Sequence, residues 1–107
     1  MENVKFQIKS NDQNRIVGIE ISGVLVLENA QTIQNEFVKI VDLLSSQVKI
    51  TISEPEELDI SFIQLLVAFI KRMDELTVDY QFEWNIDEDQ KSLLEHVGLS
   101  NELFMNN

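Results

Sequence analysis

Side chains able to do chemistry concentrate in one stretch, Glu54 to Gln64. Four carboxylates, Glu54, Glu56, Glu57 and Asp59, lead into the hydroxyl of Ser61. Acids of this density attract hard cations, but this run has neither an imidazole partner nor a fixed ligand geometry. It reads as a solvated acidic rim, and no metal site is expected. Ser61 could act as a nucleophile only beside a base and an orienting acid, and the Gly-x-Ser-x-Gly elbow is absent. The only histidine, His96, falls in the last turn of a predicted helix, where a cation suits the helix dipole. There is no cysteine, and the three glycines are not spaced as a phosphate loop. No catalytic residue and no cofactor are therefore expected, and Ser61 reads first as a helix cap.

The helix it opens is the element that must position this stretch. Ser61 suits an N-cap, and Gln64 three residues later completes a capping box. The helix is expected to run to about Leu76. At about 100° per residue, Phe62, Ile63, Leu65, Leu66, Val67, Phe69, Ile70 and Met73 cover an arc of roughly 200°. A helix laid on one sheet needs about half of that arc. Either it is nearly engulfed, or part of its apolar face is kept for a partner.

The remaining elements follow from periodicity. Val4, Phe6 and Ile8 alternate with polar residues, as do Val17, Ile19 and Ile21. With the turn cluster Asn11-Asp12-Gln13-Asn14 between them, these runs predict a hairpin. Gly23 punctuates, and Val24 to Leu27 is a short extended piece. A helix begins near Asn29 and carries Ala30, Ile33, Phe37, Ile40, Val41 and Leu44 on one face, ending at Ser45-Ser46-Gln47. Val48, Ile50 and Ile52 alternate as a third strand that stops before Pro55. Val78, Tyr80, Phe82, Trp84 and Ile86 form the most regular strand, with Tyr80 and Trp84 assigned to the core. Asp87 caps a last helix with Gln90 at its third position, Glu88 and Asp89 in its first turn and Gly98 at its C-terminal end. Ser100 suits the cap of a final short turn with Leu103 and Phe104.

Strand–helix–strand crossovers imply parallel neighbours, yet every strand alternates. Strands buried on both faces would read as continuous apolar runs. The expectation is one α/β domain over residues 1–107, with a mixed sheet and helices on one face. Lys5, Gln7, Lys9, Glu20, Lys49, Thr51, Gln81 and Glu83 should lie on the open face.

The net charge of -11, with eight basic residues spread along 107, opposes nucleic-acid and anionic-membrane binding. It reads first as a source of solubility, and otherwise as a preference for basic or mixed-charge protein partners. No apolar run is long enough to insert into a membrane, and no basic-then-apolar leader is present. A cytoplasmic location is expected.

Three motifs, in this order and spacing, resemble those of STAS domains, the module of anti-sigma-factor antagonists and sulfate transporter tails. Ile21-Ser22-Gly23-Val24-Leu25 resembles the family's strand ending in Gly. Asp59-Ile60-Ser61-Phe62 resembles its Asp-Ser-Ser-Gly motif, with Ile60 in place of the first hydroxyl residue and Phe62 in place of Gly. Val97-Gly98-Leu99 resembles its Thr-Gly-Leu. The resemblance implies a STAS-like fold and a regulatory, signal-transducing role of bacterial type. It also implies a partner surface of Asp59, Ile60, Ser61, Phe62, Gln64 and Leu65, with Ser61 as the residue phosphorylated by a partner kinase. The partner would be a serine kinase or an anti-sigma factor. The alternative is an accessory subunit of a lipid transporter complex, using the same helix without phosphorylation.

Overall fold

A computed structural model describes residues 3–96. Strands β1 (Val4–Ser10) and β2 (Ile16–Leu25) form the expected hairpin. Its turn is held by Asn11, whose Oδ1 accepts from the amides of Gln13 and Arg15 at 2.9 and 3.0 Å. A 3-10 turn over Leu27–Asn29 leads into helix α1 (Ala30–Val41), and strand β3 (Leu44–Ser53) follows. A two-residue strand β4 (Glu57–Leu58) precedes helix α2 (Ile60–Glu75), strand β5 (Asp79–Asn85) and helix α3 (Glu88–His96). The order across the sheet is β1-β2-β3-β5, with β1 antiparallel to β2 and the other neighbours parallel.

Period-two alternation does what it predicted. Ile19, Ile21, Ile50, Ile52 and Phe82 are buried in one core with Phe37 of α1, with Phe62, Leu66 and Phe69 of α2, and with Leu94 of α3. Phe6 and Trp84 pack against that core. Lys5, Gln7, Lys9, Glu20, Lys49 and Gln81 are exposed and Thr51 and Glu83 half-buried on the opposite face. There Lys49 Nζ lies 2.8 Å from Glu83, and this hydrogen bond and charge hold the Glu83 carboxyl below its usual range. Phe37 joins the layers: its ring stacks on Phe69 at 4.4 Å and meets the edge of Phe6 at 5.7 Å.

Three local expectations are corrected. Leu44 does not close α1. The helix ends at Val41, and Leu44 begins β3 opposite Ile16, whose amide donates to the Leu43 carbonyl at 2.8 Å. Burial of Leu44 under the sheet end outweighs one more helical turn. Gly23 does not end its strand either, because β2 continues to Leu25. Its φ of +102° lets the Val24 amide reach the Asn3 carbonyl at 2.8 Å. The acidic run, for which no strand was expected, contains β4, which pairs with Val24 and Leu25 and resumes alongside β2 where β3 stops. The break between them is the left-handed Glu54 and Pro55. The Val97-Gly98-Leu99 motif and Ser100, Leu103 and Phe104 lie outside the described residues.

Gly23 yields a direct test. A Cβ there would stand 2.1 Å from the Asn3 carbonyl oxygen, in a backbone region that L side chains rarely adopt. Gly23→Ala is expected to cost at least about 2 kcal/mol, read as a lower midpoint in urea unfolding.

Candidate functional site at the start of the second helix

Asp59, not Ser61, caps α2. Its backbone is extended, with φ −132° and ψ 179°, and its Oδ1 accepts from the Ser61 amide at 2.9 Å. Its other oxygen accepts from the Leu27 amide at 3.1 Å, and its own amide donates to the Leu25 carbonyl at 3.1 Å. One carboxylate thus ties the 3-10 turn to the helix start. Ser61 and Gln64 form no capping box, because Ser61 already lies in the helix, one residue after Ile60. The box expected at α3 does form: Asp87 Oδ1 accepts from the Gln90 amide at 2.8 Å, and Gln90 Oε1 from the Asp87 amide at 3.2 Å. Gln90 Nε2 also donates to the Pro55 carbonyl at 3.1 Å, fastening α3 over the break before β4.

The six residues expected at the partner surface divide into two groups. Ile60 is 46% exposed, and Gln64 is exposed. Ser61 is half-buried, and its hydroxyl makes no hydrogen bond among the described residues. Leu65 is half-buried and lines a shallow groove of about 300 Å³ between α1 and α2, with Val38, Val41 and Ala68. Asp59 is half-buried and occupied with Ser61 and Leu27. Phe62 has no accessible surface and cannot touch a partner, because its ring fills the core beside Phe37. The helical arc therefore has two uses. Phe62, Ile63, Leu66, Phe69 and Met73 are buried, while Ile60 and part of Leu65 remain outside.

The acidic rim is larger than the sequence run. Glu57 and Asp59 are joined by Glu28 from the 3-10 turn and by Asp87 and Asp89 from the start of α3. They line an open crevice of about 420 Å³ whose other walls are Val26, Leu58, Gln90 and Leu93. Among the described residues no basic side chain lines it, so its field favours a cationic surface on whatever meets it. Among the described residues no three carboxylates or imidazoles are placed to hold a metal ion. His96, exposed, lies near the end of α3 with Nδ1 3.0 Å from the Ser92 carbonyl, apart from these groups. Among the described residues no helix is long and apolar enough to cross a membrane.

The cap assignment has a measurable consequence. Asp59→Ala removes two charge-assisted hydrogen bonds and should cost about 2 kcal/mol in chemical denaturation, with Asp59→Asn costing less. Ser61→Ala should stay within about 0.5 kcal/mol of wild type. The reverse ranking would return the cap to Ser61.

No protein-family model matches the chain, and no curated protein matches it. Solved structures do. The crystal structure of an anti-sigma factor antagonist from Mycobacterium paratuberculosis superposes with a TM-score of 0.76 over 94% of this chain and 83% of that one, at 13% identity. The chain has the fold of that protein, the single-sheet STAS-type α/β fold that the three motifs implied.

Proposed function

We propose that this chain is a single, non-catalytic STAS-like regulatory module of the cytoplasm. It docks a serine kinase or an anti-sigma factor through the start of α2, and phosphate on Ser61 weakens that docking. The observation that carries the reading is an exposed Ile60 next to Ser61 on the first turn of α2, in a fold shared with an anti-sigma factor antagonist. Ile60, Gln64 and the exposed part of Leu65 supply the contact, and Ser61 lies within it. Asp59 acts by holding the helix start in place. The acidic crevice beside this patch selects a partner with basic residues at its rim.

Affinity capture from a host extract, with wild type and Ile60→Glu as baits, tests this. Mass spectrometry should find a serine kinase or anti-sigma factor on the wild-type bait, strongly depleted on Ile60→Glu, and should find phosphate on Ser61 in a fraction of the chain. Recovery of transporter subunits with Ser61 unmodified would instead assign the accessory-subunit role. Equal capture by both baits would remove the start of α2 from the interface.

A further inference from the structure

Leu27, in the turn after β2, is 66% exposed, and so is much of Ile60 at the start of α2. The two are far apart in sequence but joined through one carboxylate. Asp59 Oδ2 accepts from the Leu27 amide at 3.1 Å, and Ile60 is the next residue. Bond lengths along that path keep the Leu27 and Ile60 Cα atoms within about 12 Å of each other. The turn is fixed from its other side as well. Asn29, the one buried polar residue among those described, donates from Nδ2 to the Val24 carbonyl at 2.8 Å. Leu27 is therefore presented on backbone anchored before and behind it. A surface already in place spares a partner the cost of ordering it.

The neighbouring crevice says what can cover this pair. Glu28 follows Leu27 in the chain and lines the crevice, so the apolar pair and the acidic rim are continuous. Asp59 and Asp87 are engaged as caps. Glu28, Glu57 and Asp89 are exposed and make no hydrogen bond or ion pair among the described residues. Below them Val26, Leu58 and Leu93 are half-buried walls. Free carboxylates above apolar walls fit a side chain with an aliphatic stem and a cationic tip.

We infer that Leu27 and Ile60 form one docking surface for a protein segment that presents a large apolar side chain beside Lys or Arg. The apolar side chain covers Leu27 and Ile60. The basic one lays its stem on Val26, Leu58 and Leu93 and brings its charge to Glu28, Glu57 and Asp89. This rests on the docking proposed at α2, and adds to it the turn after β2 and the chemistry of the segment that docks. A second copy of this chain is a poor occupant, because its net charge of -11 repels the acidic rim.

The test selects short random peptides displayed on phage against the full wild-type chain and measures the consensus peptide by fluorescence anisotropy. The consensus should place a large apolar residue beside Lys or Arg, and its binding should weaken with added salt. Leu27→Glu and Ile60→Glu should each weaken binding roughly tenfold or more, and Glu28→Lys and Asp89→Lys each roughly fivefold. Leu43→Glu, at a site 46% exposed beyond the far end of α1, should leave it unchanged. Circular dichroism checks that each variant folds, and Leu27→Ser, expected to weaken binding less, replaces Leu27→Glu if that variant does not. Loss on Ile60→Glu with none on the Leu27 variants overturns the inference and leaves the α2 contact standing. No loss on either overturns both. No enriched peptide, a consensus without a basic residue, or binding indifferent to Glu28→Lys and Asp89→Lys also overturns the inference.

Discussion

Ser61→Asp is expected to lower partner affinity by about a hundredfold or more, while Ser61→Ala retains it. A phosphate on Ser61 adds about −1.5 to −2 charges at neutral pH. In the isolated chain the opposing influences nearly cancel. The helix dipole favours a negative group in the first turn by about 0.3–1 kcal/mol. The carboxylates of Asp59 and Glu57 oppose it, and salt screens exposed charges over roughly 8–10 Å. Docking removes water and salt from the same surface, so a charge left unpaired there is far more costly. The modification should therefore act on binding and hardly on folding. Thermal melts of wild type, Ser61→Ala and Ser61→Asp should nearly coincide, since Asp59 and not Ser61 caps the helix. Calorimetric titration with the captured partner measures the affinities. Equal affinity for all three proteins would leave Ser61 without a regulatory role.

Phe62→Ala should remove about 3–5 kcal/mol of stability, a large part of the roughly 5–15 kcal/mol that holds a domain of this size. The side chain is fully buried, with its ring centroid 6.5 Å from that of Phe37. Truncation leaves a cavity where the sheet meets α1 and α2. Phe62→Leu fills most of that volume and should cost about 1–2 kcal/mol. The folded Leu variant should bind the partner as wild type does, because Phe62 lies beneath the proposed docking surface. A loss of affinity by Phe62→Leu beyond its effect on the folded fraction would return this residue to the interface. The STAS-like motif has Gly at this position, and here the ring belongs to the core.

Much of the fold was legible because its signals are local. The alternation in β1, β2, β3 and β5 states which face of each strand is apolar, and an apolar face must be covered. The extent of α2 and the Asp87–Gln90 box at α3 were legible for the same reason. Each depends on residues within a turn or two of one another. Leu44 was misread because its spacing continues the α1 pattern. Its place in β3 is decided by Ile16, a strand away. β4 has too few residues to show a period and exists only because Val24 and Leu25 offer a free edge.

The start of α2 marks where local reading stops. The sequence alone determined that an acidic stretch enters a long apolar helix near Ser61, that the chain lacks cysteine, and that its sheet has one polar face. Local spacing put the cap at Ser61, whereas Asp59, two positions earlier, takes it. Tertiary structure chose between them, because only Asp59 also reaches the Leu27 amide and joins the helix to the turn after β2. Tertiary structure likewise brought Glu28, Asp87 and Asp89 to the rim begun by Glu57 and Asp59. It also buried Phe62 while leaving Ile60 exposed. Helical periodicity fixes the angle between two side chains, but what stands at each angle depends on elements distant in the chain.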